Sequence, residues 1–369
     1  MDFKPYIDQI ITYALTPFKW AYGVGVWFHN WLYDSNLKEQ KSFDIPVISV
    51  GNLTVGGTGK TPHAEYIIES LADRFNIAVL SRGYKRKTSG FVLASKVSTP
   101  EQIGDEPYQI HRKFGDRIKV AVTKNRKKGI EIIRKLFPEV NLIILDDAYQ
   151  YRAIKPLVSI LLLDYNRPID KDTLLPLGRL REPQHATERA DMLVITKCPE
   201  RMSPIEFRTY SKTLNSILSF QKIFFSTISY YEIKPVFTEE CNYPINLETL
   251  TEEDSVLLVT GIAHPRSFVN YFKRFPFNVR VLRFPDHHNF TKDDLRRIKK
   301  FYSGMEGRKK VIITTEKDAV RLLHNPYFPY KLKKNVYYLP IHINMHSGLT
   351  GEILEDELEK AICKRNRIL

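Results

Sequence analysis

A glycine-rich loop that ends in lysine and threonine holds the residues best suited to chemistry. It runs from Gly51 to Thr61, after an apolar stretch and before a stretch of helical periodicity. In such loops backbone N–H groups close around phosphate oxygens, the lysine reaches the β and γ phosphates, and the threonine hydroxyl binds magnesium. The pattern departs from the strict consensus at Thr54, where the first glycine belongs. Glycine-rich turns are common, but this context predicts a site for a nucleoside triphosphate and Mg²⁺, formed by Gly51, Asn52, Thr54, Gly56, Gly57, Thr58, Gly59, Lys60 and Thr61.

A pair of aspartates offers the second metal ligand that such a loop needs. Asp146 and Asp147 follow the apolar run at residues 142–145, which is typical of a buried strand. In open α/β sheets ligands bind beyond the carboxyl ends of the strands, where a carboxylate can face magnesium. An isolated Asp-Asp pair would more often form a turn or a helix cap. Beside Lys60 and Thr61, metal binding is the better interpretation.

The composition indicates a folded protein with an anionic partner. The chain has 369 residues, of which 43% are hydrophobic and 27% charged, close to the globular average, and its length predicts two domains. Its formal charge of +14 would suit nucleic acid, a phosphorylated substrate or an acidic membrane. Three widely separated cysteines indicate neither a disulfide framework nor a zinc site.

Short apolar runs alternate with helical stretches from Asp44 onward, as in a parallel sheet with crossover helices. We therefore predict an α/β fold: a P-loop NTPase-like domain with a largely parallel sheet, a second, smaller α/β domain and an N-terminal membrane-associating helix. The predicted segments are 1–35 (aromatic helix), 36–222 (P-loop domain), 223–345 (smaller domain with extended linker segments) and 346–369 (C-terminal helix). Strands of the first domain are expected at 45–50, 77–80, 120–122, 142–145, 159–163 and 192–195.

All three tryptophans of the chain lie near its start. Trp20, Trp27 and Trp31 fall on one stripe of a helix at about 100° per residue, and Thr16 before a proline predicts that this helix begins there. Tryptophan and tyrosine favour the boundary between water and lipid. The stripe, together with Tyr22 and Tyr33, thus predicts a helix that dips into one leaflet. The alternative is an aromatic helix packed on its own domain. A helix that crosses the membrane is disfavoured, because it would need about 20 uninterrupted apolar residues.

Further segments give the chain a close resemblance to the tetraacyldisaccharide 4′-kinase family of lipid A synthesis. They are SVGNLTVGGTGKTP (49–62), SRGY (81–84), GDEP (104–107), DDAYQ (146–150), LP (175–176) with REP (181–183), FPDH (284–287) and TTEKD (314–318). The threonine at position 54 is itself a trait of this family. Ala148 and Tyr151 depart from it, since they stand where the family usually has glycine and histidine.

The resemblance implies transfer of the γ-phosphate of ATP, with Mg²⁺, to the 4′-hydroxyl of a tetraacyldisaccharide 1-phosphate. It implies that Asp105 is the catalytic base, that His287 pairs with it and that Lys60 acts on the phosphates. The residues alone would also allow Asp105 to be a helix N-cap and His287 to lie in a surface turn.

The same resemblance implies the remaining site residues. Glu182 joins Thr61, Asp146 and Asp147 at the metal, Arg181 lies near the phosphates and Tyr84 lies against the sugar. Apart from the resemblance, the basic run that contains Arg126 with Lys124, Lys127 and Lys128 would suit the 1-phosphate of the substrate and anionic headgroups, although such runs are usually solvated faces. The expected partners are the glycolipid and a membrane surface, with no nucleic acid and no obligatory protein partner. The expected location is the cytoplasmic face of the bacterial inner membrane, in a peripheral or monotopic manner.

Three other functions fit parts of the sequence. A P-loop switch ATPase would suit the basic charge but needs no base on the acceptor side. A soluble kinase of a small sugar or cofactor shares the chemistry but has no use for a tryptophan stripe. A membrane-docking module with a relic P-loop would bind ATP and Mg²⁺ without transfer.

Overall fold

The computed structural model describes residues 4–215, 221–241, 243–347 and 351–366, which form two sheets with helices around them. In the described residues the larger sheet has nine strands in the order β14-β8-β7-β6-β1-β5-β2-β4-β3. Neighbours run parallel except at the two edges, where β14 opposes β8 and β3 opposes β4. Its strands are β1 (Val47–Asn52), β2 (Ile77–Ser81), β3 (Val92–Leu93), β4 (Lys119–Val122), β5 (Leu142–Asp146), β6 (Val158–Asp164), β7 (Met192–Thr196), β8 (Lys222–Tyr230) and β14 (Ile341–Met345).

The central strands of this sheet are buried on both faces, which explains their uninterrupted apolar sequences. Every residue of β1, β2, β5, β6 and β7 is buried. Helices α2, α4 and α11 cover one face, while α5 and α6 cover the other. The predicted α/β class is confirmed, and each of the six predicted strands lies within two residues of an observed one. The helices are α2 (Lys60–Leu71), α3 (Pro100–Ile103), α4 (Asp105–Phe114), α5 (Arg126–Leu136), α6 (Pro204–Asn215) and α11 (Leu354–Asn366).

The smaller sheet has the order β11-β10-β12-β13-β9 among the described residues. Its first four strands are parallel, and β9 pairs antiparallel to β13 at the edge. The strands are β9 (Lys234–Pro235), β10 (Ser255–Thr260), β11 (Asn278–Arg283), β12 (Lys310–Thr315) and β13 (Val336–Leu339), and the helices are α7 (Arg266–Phe272), α8 (Lys292–Ser303), α9 (Glu316–Leu323) and α10 (Tyr330–Lys333).

The chain passes between the two sheets twice. It leaves the larger sheet at the end of β8 and enters the smaller one at β9, then returns from β13 to β14. The two passages lie side by side, because Ile341 pairs with Tyr230 and Tyr338 pairs with Lys234. The segments 222–230 and 341–345, at the two ends of the stretch assigned to the smaller domain, thus lie in the larger sheet. The domain limits inferred from sequence stay a prediction.

A single helix, α1 (Lys4–Asp34), precedes the first strand. The predicted start at Thr16 is wrong, because Pro17 lies inside the helix and the Thr16 hydroxyl donates to the carbonyl of Thr12 in the manner of a helix-interior threonine. A proline costs the helix one hydrogen bond and does not have to end it. No described helix combines the length and the apolar character needed to cross a bilayer.

The aromatic stripe of α1 does not pack on the protein. Trp20, Trp27 and Trp31 are 67%, 59% and 41% exposed, so the alternative of an aromatic helix packed on its own domain is wrong for these side chains. Tyr22 and Tyr33 lie on the other side. The Tyr22 hydroxyl donates to the carbonyl of Arg181, and Tyr33 stacks under the guanidinium of Arg152.

Candidate active site

The phosphate loop connects β1 to α2 at the carboxyl edge of the larger sheet. Gly56 and Gly59 have φ values of 103° and 89°, a left-handed conformation that glycine adopts without strain. The buried amide of Asn52 donates to the Thr54 carbonyl and to the Thr58 hydroxyl, both at 2.8 Å. Internal hydrogen bonds therefore fix the shape of the loop before any ligand arrives.

The two residues at the start of α2 come directly out of this loop. Lys60 is the first residue of the helix and Thr61 the second, and no side chain caps the N-terminus at Gly59. The Lys60 ammonium donates to Asn52 Oδ1 at 3.2 Å and lies 3.5 Å from a carboxylate oxygen of Asp147. The backbone N–H groups of the first turn remain available to an anion. All nine residues predicted for nucleotide binding lie between the last residues of β1 and the first of α2, and a Cβ at Gly57 would meet nothing within 4 Å.

Strand β5 pairs with β1 and brings two aspartates beside the loop, with Asp146 opposite Val50. Asp146 is buried, and its Oδ1 has no hydrogen-bond partner within the described part of the chain. Burial, reinforced by the charges of Asp147 and Glu106, raises the pKa of Asp146 to about 7. A buried carboxylate oxygen without a donor fits a hard cation, because oxygen is the ligand that magnesium prefers.

Glu182 supplies a second buried oxygen of this kind. Its Oε1 also lacks a partner among the described residues, while Oε2 accepts from Arg189 at 2.7 Å and from Asn30 at 3.0 Å. The segment that carries it runs along the phosphate loop, where the Arg181 amide donates to the Leu53 carbonyl. No cluster of three or more His, Cys, Asp or Glu side chains encloses a metal site in the described ranges. Such sparse ligation is typical of magnesium that is also held by phosphates.

Two predicted arginines reach the same region in different ways. Arg181 lies at the surface of the site, with Nη1 3.5 Å from Asp147. Arg126 is buried, and its guanidinium donates to the Asp147 carbonyl at 3.0 Å and stacks on the ring of Tyr151. In the structure this side chain supports the Asp147 loop, and its contact with substrate stays a prediction. Tyr151, which departs from the family pattern, accepts a hydrogen bond from the Arg126 amide.

Asp105 and His287 lie close together, although they belong to the layers of different sheets. Their separation in the sequence gives no indication of this proximity. Asp105 begins α4 after Gly104, and His287 follows β11 in a left-handed conformation with φ 56°. Nδ1 of His287 lies 3.6 Å from Asp105 Oδ2. The Tyr84 ring stands edge-on to the imidazole with 5.8 Å between centroids, and its side chain is exposed. The three predicted acceptor-side residues are thus brought together.

Helix α9 adds two cations that sequence reasoning missed. Arg321 donates to Asp105 Oδ2 through Nη2 at 2.6 Å and Nε at 3.0 Å. Lys317 lies 3.0 Å from both His287 Nε2 and Glu106 Oε1. Burial opposes ionisation of Asp105, but the nearby His287 imidazole and the Arg321 cation outweigh it and hold the pKa of Asp105 below its ordinary value. Four-residue spacing of Lys317 and Arg321 was the available sequence signal, since it places both on one face of a helix.

Known proteins resemble the chain over nearly its whole length. A family model described as tetraacyldisaccharide-1-P 4′-kinase matches residues 11–359. The tetraacyldisaccharide 4′-kinase of Phocaeicola vulgatus is 45% identical over 89% of each chain, and that of Parabacteroides distasonis is 46% identical over 89% of each. The crystal structure of LpxK from Aquifex aeolicus in complex with ATP has a TM-score of 0.70 and 27% identity, covering 96% of this chain and 99% of that one.

Proposed function

Because this chain belongs to the tetraacyldisaccharide-1-P 4′-kinase family, we propose that Asp105 accepts the proton of the 4′-hydroxyl while Lys60 steadies the phosphoryl group that moves. The enzyme uses ATP to phosphorylate the 4′-position of a lipid A precursor, tetraacyldisaccharide 1-phosphate. Family membership sets aside the switch ATPase, the soluble small-molecule kinase and the relic P-loop.

The donor side works by holding phosphates and balancing their charge. When ATP binds, the amides of the phosphate loop would face its β and γ phosphates, and Lys60, already placed by Asn52, would contact them. Asp146, Asp147, Glu182 and Thr61 would hold Mg²⁺, which when bound neutralises charge on the phosphates. Arg181 balances the charge of Asp147 at the same edge. Transition states of this kind require positioning more than covalent chemistry.

On the acceptor side, an ionised carboxylate lies near an aromatic ring that the sugar can contact. Asp105 is kept ionised by the groups around it, so one carboxylate oxygen can take the hydroxyl proton as the new P–O bond forms. His287 orients it, and the exposed Tyr84 ring beside the imidazole offers a face for the sugar. The meeting of Asp105 and His287 is the observation that carries this proposal.

Asp105→Asn tests the base directly, because the amide keeps the shape and cannot accept a proton. We expect kcat to fall about 10²–10⁴-fold with KM for ATP near the wild-type value. Phosphate transfer to the tetraacyldisaccharide 1-phosphate in mixed micelles is the measurement. Asp116→Asn is the matched control, since Asp116 is exposed and forms an ion pair of 3.2 Å with Lys96. Wild-type turnover by Asp105→Asn would contradict the proposal.

The glycolipid substrate also supports a membrane location. Helix α1 presents exposed Trp20, Trp27 and Trp31, and Tyr13 and Val24 extend the same face. Such a face can enter the headgroup region of one leaflet while the opposite side of the helix stays on the protein. The net charge of +14 favours an acidic surface. We place the enzyme at the cytoplasmic face of the bacterial inner membrane, bound to one leaflet.

A further inference from the structure

Arg321 contacts several residues of the acceptor site, and the roles proposed above do not account for these contacts. Its side chain is 5% exposed and each guanidinium nitrogen has a partner. Nε and Nη2 donate to Asp105 Oδ2, Nη1 donates to Asp318 Oδ1 at 3.0 Å, and Nη2 lies 3.2 Å from His287 Nδ1. Asp105 belongs to the larger sheet layer and the other residues to the smaller one. One side chain thus joins the two halves of the site.

We propose that Arg321 is a positioning residue for the transfer: it fixes the Asp105 carboxylate against His287 and keeps that carboxylate ionised, acting through Asp105 and not on the phosphates. This inference rests on the proposed role of Asp105 as the base. It assigns a function to a residue that lies outside the phosphate loop and the metal carboxylates.

Burial argues against a direct contact between Arg321 and phosphate. An arginine that stabilises a transferring phosphoryl group must present free N–H groups to it. Here the guanidinium is enclosed and its nitrogens are directed at Asp105 and Asp318. Two other cations of the site, Lys60 and Arg181, lie beside Asp147 and face the donor side instead.

Residues at the strand ends of the smaller sheet hold Arg321 in place through Asp318. Asp318 is buried, and its Oδ2 accepts from the Gly261 amide at 2.8 Å and from the Thr315 hydroxyl at 2.7 Å. Gly261 follows β10 and Thr315 ends β12, so two strand ends anchor the carboxylate that receives Arg321. A planar guanidinium held at one end presents its other N–H groups in a fixed direction, which a lysine cannot do.

The contacts of His287 are consistent with one tautomer. Lys317 is a donor, so the Nε2 that it faces at 3.0 Å must carry the lone pair, and the proton then lies on Nδ1, toward Asp105. Arg321 Nη2 is closer to Asp105 Oδ2 than to Nδ1, so it donates to the carboxylate. Asp105 therefore faces two donors, Arg321 from α9 and His287 from the loop after β11. The charged groups nearby are Lys317 on α9, the adjacent Glu106 on α4 and Asp318 behind Arg321.

The variants Arg321→Gln and Arg321→Lys test the role. We expect Arg321→Gln to lower kcat about 10²-fold, as loss of positioning does, with KM for ATP close to wild type. Without the cation, Asp105 should take up a proton more easily. The pH below which kcat/KM falls should therefore rise by about one unit or more. Arg321→Lys keeps a charge opposite Asp318, which protects the fold, and should lose kcat with a smaller shift. Arg296→Gln, at an exposed arginine of α8, is the control and should behave like wild type.

A double-mutant cycle with Asp105→Asn separates action through Asp105 from action elsewhere. Adding Arg321→Gln to Asp105→Asn should change kcat less than about threefold, because the group through which Arg321 acts is already lost. Additive losses would overturn the inference, and so would an unchanged kcat and an unchanged pH dependence of kcat/KM in folded Arg321→Gln or Arg321→Lys. If Asp105→Asn itself is fully active, the base assignment fails; if Asp105→Asn is inactive and the arginine variants are normal, only the role of Arg321 fails.

Discussion

Asn30 on helix α1 donates a hydrogen bond of 3.0 Å to Oε2 of Glu182, a residue proposed for the metal. The backbone carbonyl of Asn30 in turn accepts a hydrogen bond from Arg152 at 3.0 Å. Both the side chain and the backbone of this asparagine are therefore held by hydrogen bonds. The helix that carries the exposed tryptophans therefore contacts a buried carboxylate beside the phosphate loop. This contact links the surface proposed for lipid with the site proposed for Mg²⁺.

Asn30→Asp should weaken the response to Mg²⁺. It replaces the amide donor with a carboxylate facing Glu182, and substitutions behind metal ligands typically cost about 10–100-fold in metal affinity. We expect the half-saturating Mg²⁺ concentration for kinase activity to rise by roughly that factor, and less in Asn30→Ala. Thr16→Ala on the same helix is the control, because its hydroxyl donates to the Thr12 carbonyl within the helix. An unchanged Mg²⁺ dependence in Asn30→Asp would refute the link.

Replacing Trp20, Trp27 and Trp31 together by alanine should weaken binding to lipid vesicles. Each loses an exposed aromatic surface suited to the headgroup region, while the buried side of α1 is untouched. The apparent affinity for vesicles that contain anionic lipid, measured by co-sedimentation, should fall at least about tenfold. Activity on a water-soluble, short-chain acceptor should persist. Tyr243→Ala, at an exposed aromatic residue of the smaller-sheet region, is the control. Vesicle binding equal to wild type would exclude the tryptophans as the docking face.

Gly51→Ala should destabilise the fold, because a Cβ at this position would lie 2.6 Å from Tyr149 Cβ and 2.8 Å from its backbone nitrogen. Overpacking of this kind typically costs about 1–3 kcal/mol of unfolding free energy. Gly57→Ala is the matched control, since a Cβ there meets nothing within 4 Å. Urea unfolding of the two variants should therefore separate them, and equal stabilities would show that Tyr149 can move aside.

Asp146→Asn should stabilise the substrate-free protein in alkaline solution. The pKa of Asp146 is raised to about 7 from an ordinary value of 3.8, so the folded chain binds this proton more tightly than the unfolded chain does. Folded stability is therefore lost as pH rises from about 4 to 7, and the loss is complete above that range. The variant avoids the loss, which amounts to roughly 2–4 kcal/mol.

The matching experiment is urea unfolding in the presence of EDTA at about pH 8 and at about pH 4.5. The gain in unfolding free energy of Asp146→Asn over wild type should be large at the higher pH and small at the lower one. Kinase activity should be lost in the same variant. A gain that is equal at both pH values would mean that the carboxylate is not the cause.

Local patterns predicted the parts of the molecule that depend on local physics. The buried strands β1 and β5 show as apolar runs, and the phosphate loop between Gly51 and Thr61 shows as glycines before Lys-Thr. The start of α1 was mispredicted because Thr16 before Pro17 is a capping signal that a helix interior can also contain. A hydrogen bond to the Thr12 carbonyl satisfies the threonine there.

Contacts between distant segments could not be predicted in this way. Asp105 and Arg321 are 216 positions apart and no periodicity connects them. The family resemblance implied that Asp105 works with His287, but the role of Arg321 depends on how α9 is aimed by β12 and Asp318. Burial is equally non-local: Arg126 looked like part of an exposed basic run, yet the Asp147 loop and Tyr151 cover it.

The two side-by-side passages between the sheets limit how the molecule can deform. A single connecting strand would let the smaller sheet swivel freely, whereas a paired two-strand ribbon from Tyr230 to Lys234 and from Tyr338 to Ile341 bends across its width and resists twisting and sliding. The paired connections thus favour one placement of His287 and Arg321, beside the smaller sheet, against Asp105 beside the larger one.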